Sequence, residues 1–246
     1  MPEDTPGFQS RVRRPPPEPE AVALSVLYED DSLIAIDKPP GMVVHPTYRN
    51  WSGTLLNGLL WHLRPSTGAP GGRAGVQPSI ITRLDKGTSG IVLAALTPAV
   101  HAGVQRDGAA GHVRKEYLAV VRGSPSPANG SIVLPLARSA EDRRRVVVTP
   151  NGQYCETSYE VLSTRNGFSL VRCELVTGRT HQIRVHLASR GWPIAGDVSY
   201  GEPHPALDRQ ALHAWRTSLP HPLTRTRLTI EAPIPRDLRE LIGELS

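Results

Sequence analysis

The feature that most restricts the fold is a run of strand-type segments between residues 113 and 177. "KEYLAVVRG", "GSIVLPLA" and "GFSLVRCELVTG" are rich in β-branched and other apolar residues. In the last of these, Val171, Cys173 and Leu175 alternate with charged residues, which is the period of a half-buried strand. "RRRVVVTPNGQYCETSYEVLST" adds two strand-type stretches around a tight turn at "PNG". We therefore predict a mostly antiparallel sheet in this region.

Apolar residues at helical spacing occur in four other segments. "GTLLNGLLWHLRP" begins after Thr54 as N-cap and ends before Pro65. "TPAVHAGVQRD" has Pro98 in its first turn, and "RTHQIRVHLASRGW" runs from Thr180 as N-cap to a stop at Gly191. The C-terminal segment has one apolar face, formed by Leu238, Leu241, Ile242 and Leu245. With an N-terminal hairpin in "LSVLYEDDSLIAIDKPPG" and a late strand in "RLTIEAP", this order predicts an α+β fold.

The division of the chain follows from its composition. Residues 1–21 are rich in proline and mixed charge, and we predict a disordered tail followed by one folded domain over residues 22–246. That first segment contains no apolar stretch of the kind found in a signal peptide or anchor, and no later run reaches the length of a membrane span. Cys155 and Cys173 show no metal-binding spacing, and we expect them in the core. These features favour a cytoplasmic protein.

The charge balance indicates a class of partner. The formal net charge is +5 and the isoelectric point is about 9.5, which favours a polyanion. Most of the positive charge is arginine, whose forked guanidinium matches phosphate oxygens. The same charge is also compatible with solubility alone, so it does not by itself predict nucleic-acid binding.

The chemistry is concentrated around "ITRLDKGTSG", which precedes the most apolar run of the chain, "IVLAAL". A carboxylate next to a buried strand must be paired or hydrogen-bonded, so Asp85 is either structural or kept for chemistry. His181 and His186 are five residues apart and do not share a helix face, which argues against a metal site. The segment also lacks the order GxxxxGK[ST] of a phosphate-binding loop and the GxSxG of a serine hydrolase. Arg83, Asp85 and the basic segment "TGRTHQIRVH" remain as candidates.

Several of these segments, in this order, resemble the RluA-type family of RNA pseudouridine synthases. The resemblance rests on "DKPPGMVVHP", "GTLLNGLL", "RLDKGTSG" with "IVLAAL", "KEYLAVVRG", "VTGRTHQIRVHLASRGWPIAGDVSYG" and "ALHAWRTSLPHP". It implies a mixed, largely antiparallel sheet with flanking helices around an RNA-binding cleft. It also implies an enzyme that isomerises uridine in ribosomal or transfer RNA without a cofactor or a metal. Thr82 stands where many members of the family have histidine.

The resemblance also implies roles for individual residues. The catalytic set would be Asp85 as nucleophile or base, Arg83, Tyr117 against the target base, and Arg184 as the partner of the carboxylate. A guanidinium that holds Asp85 in a two-pronged pair would keep it ionised. RNA contacts are expected from Lys115, Arg179, His181 and Gln182.

Two other functions are compatible with the same segments. A catalytically inactive RNA-binding protein of this fold would have no need of a carboxylate that repels phosphate. An enzyme acting on a free nucleotide is disfavoured by the basic charge and by the lack of a triphosphate-binding loop. We further expect a monomer without an S4-type RNA-binding domain.

Overall fold

A computed structural model describes residues 16–47, 50–65 and 76–243. The strands are β1 Ser25–Glu29, β2 Leu33–Lys38, β3 Ser79–Ile80, β4 Ser89–Ala95, β5 Arg114–Arg122, β6 Asn129–Val133, β7 Leu136–Arg138, β8 Val146–Val148, β9 Glu156–Arg165, β10 Phe168–Leu175, β11 Leu212–Pro220 and β12 Arg227–Glu231. The helices are α1 Leu55–His62, α2 Pro98–Ala109, α3 Gln182–Ser189 and α4 Arg236–Gly243. None of the helices described is long and apolar enough to cross a membrane.

The main sheet has ten strands, and its central path runs β1-β2-β4-β11-β5-β10-β9-β6. Strand β3 pairs with β4, and β12 pairs with β11. The pairings are antiparallel except that of β4 with β11, which is parallel. The predicted α+β class and the mixed, largely antiparallel sheet are therefore confirmed.

Strand β11 occupies the centre of this sheet. Strands β1 to β4 lie on one side of it, and β5, β10, β9 and β6 lie on the other. In the part of the chain that is described, β11 is the one strand that pairs with both halves. Gly90 sits at the parallel pairing with a φ of +107°, and a Cβ there would lie 2.2 Å from the carbonyl oxygen of Ala214. The close approach of β4 to β11 therefore requires glycine at this position.

The helices cover the faces of the sheet as their apolar patterns predict. Helix α1 is capped by Thr54, whose hydroxyl accepts a hydrogen bond from the backbone N–H of Asn57. Helix α3 buries Ile183 and Leu187 against the half of the sheet that contains β5 and β10. Helix α4 packs on the same core through Leu238 and Leu241, whereas Leu245 lies outside the described residues. Both cysteines are buried and free.

Three local predictions differ from the structure. "GSIVLPLA" divides at Pro135 into β6 of the main sheet and β7, which pairs with β8 in a small separate sheet. The turn at "PNG" does not join paired strands, because β8 pairs with β7 and β9 pairs with β6 and β10. Helix α3 has His181 rather than Thr180 as N-cap, and His181 adopts a left-handed backbone conformation.

Residues just before the predicted boundary at residue 22 contact the folded part. The backbone carbonyl of Glu18 accepts a hydrogen bond from the Asn57 side chain, and the Glu20 carboxylate accepts one from the Gly53 N–H. These contacts attach the segment before β1 to the start of α1. The rest of the predicted tail, residues 1–15, lies outside the described residues.

Candidate active site

A cleft of about 510 Å³ opens where the two halves of the sheet meet. Its walls come from the loop before β4, from β5, from β7 and from the loop and first turn of α3. This volume lies in the range of pockets that hold small organic ligands or single nucleotides. The charged and polar side chains of the lining include Arg83, Asp85, Lys115, Tyr117, Arg138, Arg179, His181, Gln182 and Arg184.

The loop that carries Asp85 is fixed by hydrogen bonds from several directions. Lys38 is fully buried, and its ammonium group donates to the carbonyls of Pro39, Met42 and Lys86. The Gly41 N–H also donates to the Lys86 carbonyl at 2.8 Å. These bonds hold the residue after Asp85 against the end of β2, so the carboxylate is presented from a rigid support.

Asp85 and Arg184 form the polar centre of the cleft. The Arg184 Nη1 donates to Asp85 Oδ2 at 2.8 Å. The remaining edge of the guanidinium is held by Asp197, with Nε and Nη2 each donating to one carboxylate oxygen at 2.7 Å. Asp197 is buried, whereas the side chain of Asp85 keeps 24% of its surface exposed. The two-pronged pair with Arg184 that was predicted for Asp85 is therefore made by Asp197. Asp85 binds the same guanidinium through one hydrogen bond.

Strand β5 contributes two side chains to the same cleft, Lys115 and Tyr117, which point to one face because they are two residues apart. Burial and the charge of Asp85 raise the pKa of Tyr117, so its ring remains a neutral phenol. Burial lowers the pKa of Lys115. In the described residues the side chain of Lys115 forms neither a hydrogen bond nor an ion pair, so it is available to a ligand.

Three exposed arginines complete the lining. Arg83 comes from the Asp85 loop, Arg138 from β7 and Arg179 from the loop before α3. None of them forms an ion pair with a carboxylate in the described part of the chain. Asp85 is the one carboxylate among the described residues that line the cleft, so the opening is strongly positive around a single negative group.

Two other predicted residues lie beside this centre in different environments. The Nε2 of His181 is 3.7 Å from Asp85 Oδ1. Gln182 is buried, and its amide is saturated: it accepts from Thr177 and the Arg179 N–H, and donates to Glu156 and Thr157. These bonds give Gln182 a structural role in holding the loop that precedes α3, and the RNA contact expected from it stays a prediction.

The structure shows what the Thr82 side chain contacts. It also brings into the site residues that were not predicted from the sequence. The Thr82 hydroxyl accepts a hydrogen bond from the Leu93 N–H at 2.8 Å, so this side chain is attached to β4. Asp197 and Tyr200, from "GDVSYG", and Arg138, from "LARSAED", all contribute to the centre or its rim. The signal for Asp197 was weak, because a lone aspartate after glycine is also typical of a turn.

Comparison with known proteins identifies relatives across most of the chain. The family model described as RNA pseudouridylate synthase matches residues 32–189. An uncharacterised RNA pseudouridine synthase of Bacillus subtilis is 40% identical over 247 residues, which covers 98% of this chain and 80% of that protein. Ribosomal large subunit pseudouridine synthase D of Nitrosomonas europaea is 43% identical over 232 residues, which covers 91% of this chain and 65% of that protein.

A solved structure supports the same relationship. Human RNA pseudouridylate synthase domain containing 4 superposes with a TM-score of 0.72 at 26% identity. The match covers 90% of this chain and 92% of the human chain. The likeness therefore extends over both halves of the sheet.

Proposed function

Because this chain belongs to the RNA pseudouridylate synthase family, in its RluA-type branch, we propose that it converts uridine to pseudouridine in large-subunit ribosomal RNA. The observation that carries the proposal is the lone cleft carboxylate, Asp85, paired with the buried Arg184 inside an arginine-rich opening. The choice of ribosomal RNA is supported by relatives from several bacteria that are named as ribosomal large subunit pseudouridine synthases.

The reaction needs one reactive group and a closed, oriented site. The N1–C1′ bond of uridine breaks, the base turns, and a C5–C1′ bond forms, while C5 loses a proton and N1 gains one. A carboxylate can act in such a step as nucleophile or as base. We assign this role to Asp85, whose side chain remains partly exposed to the cleft.

Arg184 orients that carboxylate through a charge-assisted hydrogen bond. Because Asp197 already holds two nitrogens of the guanidinium, the Nη1–H that reaches Asp85 has a fixed direction. Asp197 is therefore the positioning residue for Arg184.

The remaining lining suits a nucleotide taken out of its stack. An enzyme that acts on a base must turn the nucleotide out of the RNA helix, and aromatic faces receive the base. Tyr117 offers such a face beside Asp85, since its ring lines the cleft. Arg83, Lys115, Arg138 and Arg179 surround the opening and can bind the phosphates on either side of the target. An inactive RNA-binding protein would gain nothing from the Asp85 charge among these cations.

The test of this assignment is Asp85→Asn. Asparagine keeps the size of the side chain but is neither a nucleophile nor a base, so we expect loss of pseudouridine formation in single-turnover reactions with ribosomal RNA. Stability should fall little, because Arg184 retains its two bonds to Asp197. Asp107→Asn is the matched control, since Asp107 is likewise hydrogen-bonded to an arginine, Arg225, but does not line this cleft.

The outcomes separate the possible roles. Normal activity of a folded Asp85→Asn variant would refute the catalytic assignment. Comparison of the nucleosides in ribosomal and transfer RNA from cells with and without the protein tests the substrate. A pseudouridine lost from transfer RNA alone would refute the choice of ribosomal RNA.

A further inference from the structure

The two oxygens of the Asp85 carboxylate lie in different environments. Oδ2 accepts the hydrogen bond from Arg184 at 2.8 Å. Oδ1 accepts no hydrogen bond from the described residues and faces the Nε2 of His181 at 3.7 Å. One bond at one oxygen leaves the carboxylate free to rotate about its Cβ–Cγ axis, so a second contact at Oδ1 would fix its plane.

His181 is connected on its other side to Tyr200. The Nδ1 of His181 and the Tyr200 hydroxyl are 2.7 Å apart, and the Val146 N–H donates to the same hydroxyl oxygen at 2.8 Å. Because the oxygen already accepts from Val146, we assign its own hydrogen to His181 Nδ1, the acceptor that the described residues place beside it. A ring that accepts at Nδ1 carries its hydrogen on Nε2 when neutral. In this tautomer the Nε2–H faces Asp85.

The surroundings keep this ring neutral and in place. Burial lowers the pKa of His181 below its usual value, although the charge of Asp85 opposes the shift. Arg184, Asp197 and Arg138 are the other charged groups that act on the ring. The backbone of His181 has a φ of +55° at the N-cap of α3, a strained conformation for a residue other than glycine.

We propose that His181 is a positioning residue for Asp85, with its tautomer set by Tyr200, rather than a contact for the RNA backbone. The inference rests on the proposed function of the same site. A movement of about 0.8 Å would bring Nε2 to hydrogen-bonding distance of Oδ1. Arg184 and His181 then hold the carboxylate at both oxygens and leave its remaining lone pairs directed at the bound nucleotide.

Two substitutions at residue 181 separate this role from RNA binding. His181→Asn suits the left-handed backbone and can still bond to Tyr200, but it does not reach Asp85. We expect its single-turnover rate constant to fall by about 10- to 100-fold, as for a misplaced catalytic group, with the Kd for RNA unchanged. His181→Gln carries an N–H at a position near that of Nε2, and we expect it to recover at least part of the loss. Melting temperatures confirm that both variants are folded.

The tautomer is measured without RNA. Nitrogen-15 NMR of the free protein should show His181 protonated at Nε2 and not at Nδ1 near neutral pH. Tyr200→Phe retains the ring that lies 5.0 Å from the Arg184 guanidinium but removes the hydroxyl, and it should yield a mixture of tautomers.

The results that would overturn the proposal are distinct from failure of the proposed function. An unchanged rate constant with a weakened Kd in His181→Asn would make His181 an RNA contact. An Nδ1-protonated ring in the wild type would refute the connection through Tyr200. If the wild type forms no pseudouridine, the proposed function fails, and that result is known before any variant is compared.

Discussion

Asp197→Asn tests whether the buried partner of Arg184 supports both the fold and the site. In the wild type, two charge-assisted hydrogen bonds of 2.7 Å join Asp197 to the guanidinium of Arg184, a residue that is 6% exposed. Removal of one partner from a buried ion pair costs about 3 to 5 kcal/mol. Asparagine keeps one acceptor oxygen, but its amide group meets a second N–H donor. We therefore expect a loss of about 3 kcal/mol in the free energy of unfolding.

For a chain of this length, such a loss corresponds to a fall of roughly 6 to 12 °C in melting temperature. Calorimetry or circular dichroism measures it, and single-turnover pseudouridine formation reports the site. Activity should fall as well, because Arg184 is no longer held from behind and can turn away from Asp85. Asp107→Asn serves again as control, and its pair with the exposed Arg225 should contribute much less. If Asp197→Asn melts within 2 °C of the wild type, the argument from the buried pair is wrong.

Three further predictions concern Gly90, His213 and Arg179. Gly90→Ala should prevent correct folding, because its Cβ would lie 2.2 Å from the Ala214 carbonyl oxygen. The control Gly111→Ala, at φ +75°, meets no neighbour and should yield soluble protein, so expression levels and melting temperatures of the two variants are compared. Burial lowers the pKa of His213 to about 4 in the folded protein. As pH falls, the unfolded chain therefore binds a proton at this residue before the folded protein does. The free energy of unfolding should decrease by up to about 3 kcal/mol as pH falls from 6.5 to 4. Denaturant titrations should show a flatter decrease in His213→Gln. Arg179→Gln should reduce the slope of log affinity against log salt by about 0.7 on single-stranded RNA, and an unchanged slope would remove Arg179 from the phosphate contacts.

Local features of the fold were predictable because their causes are local. Thr54 caps α1 and Pro98 begins α2, since capping and the fixed φ of proline act within one turn. The alternation of Val171 and Cys173 marks β10 for the same reason. The family resemblance supplied Asp85 and Arg184, and the structure places them 2.8 Å apart although 99 residues separate them in the chain.

Other features depended on contacts between distant segments. The segment "LHAWRTSLP" was not predicted as a strand, because its mixed polar and apolar residues become a strand through pairing with β4, β5 and β12. The ion pair of Asp197 and the internal hydrogen bonds of Gln182 were not predicted, because nothing in the neighbouring residues reveals their partners. The left-handed His181 displaced the predicted N-cap for a tertiary reason as well, its bond to Tyr200.

The central place of β11 sets the order in which this protein can become active during synthesis. Asp85 belongs to the half of the sheet built from early strands, whereas Tyr117 and Arg184 belong to the other half. In the described structure, the strand that joins the halves is Leu212–Pro220, which leaves the ribosome after Asp85, Tyr117 and Arg184. Pairing between such distant segments is slow, because the entropy cost of closing a long loop must be met before the contacts form. A nascent chain that stops before β11 can thus hold two partly formed sheets with Asp85 and Arg184 present, and still lack the geometry that brings these two side chains together.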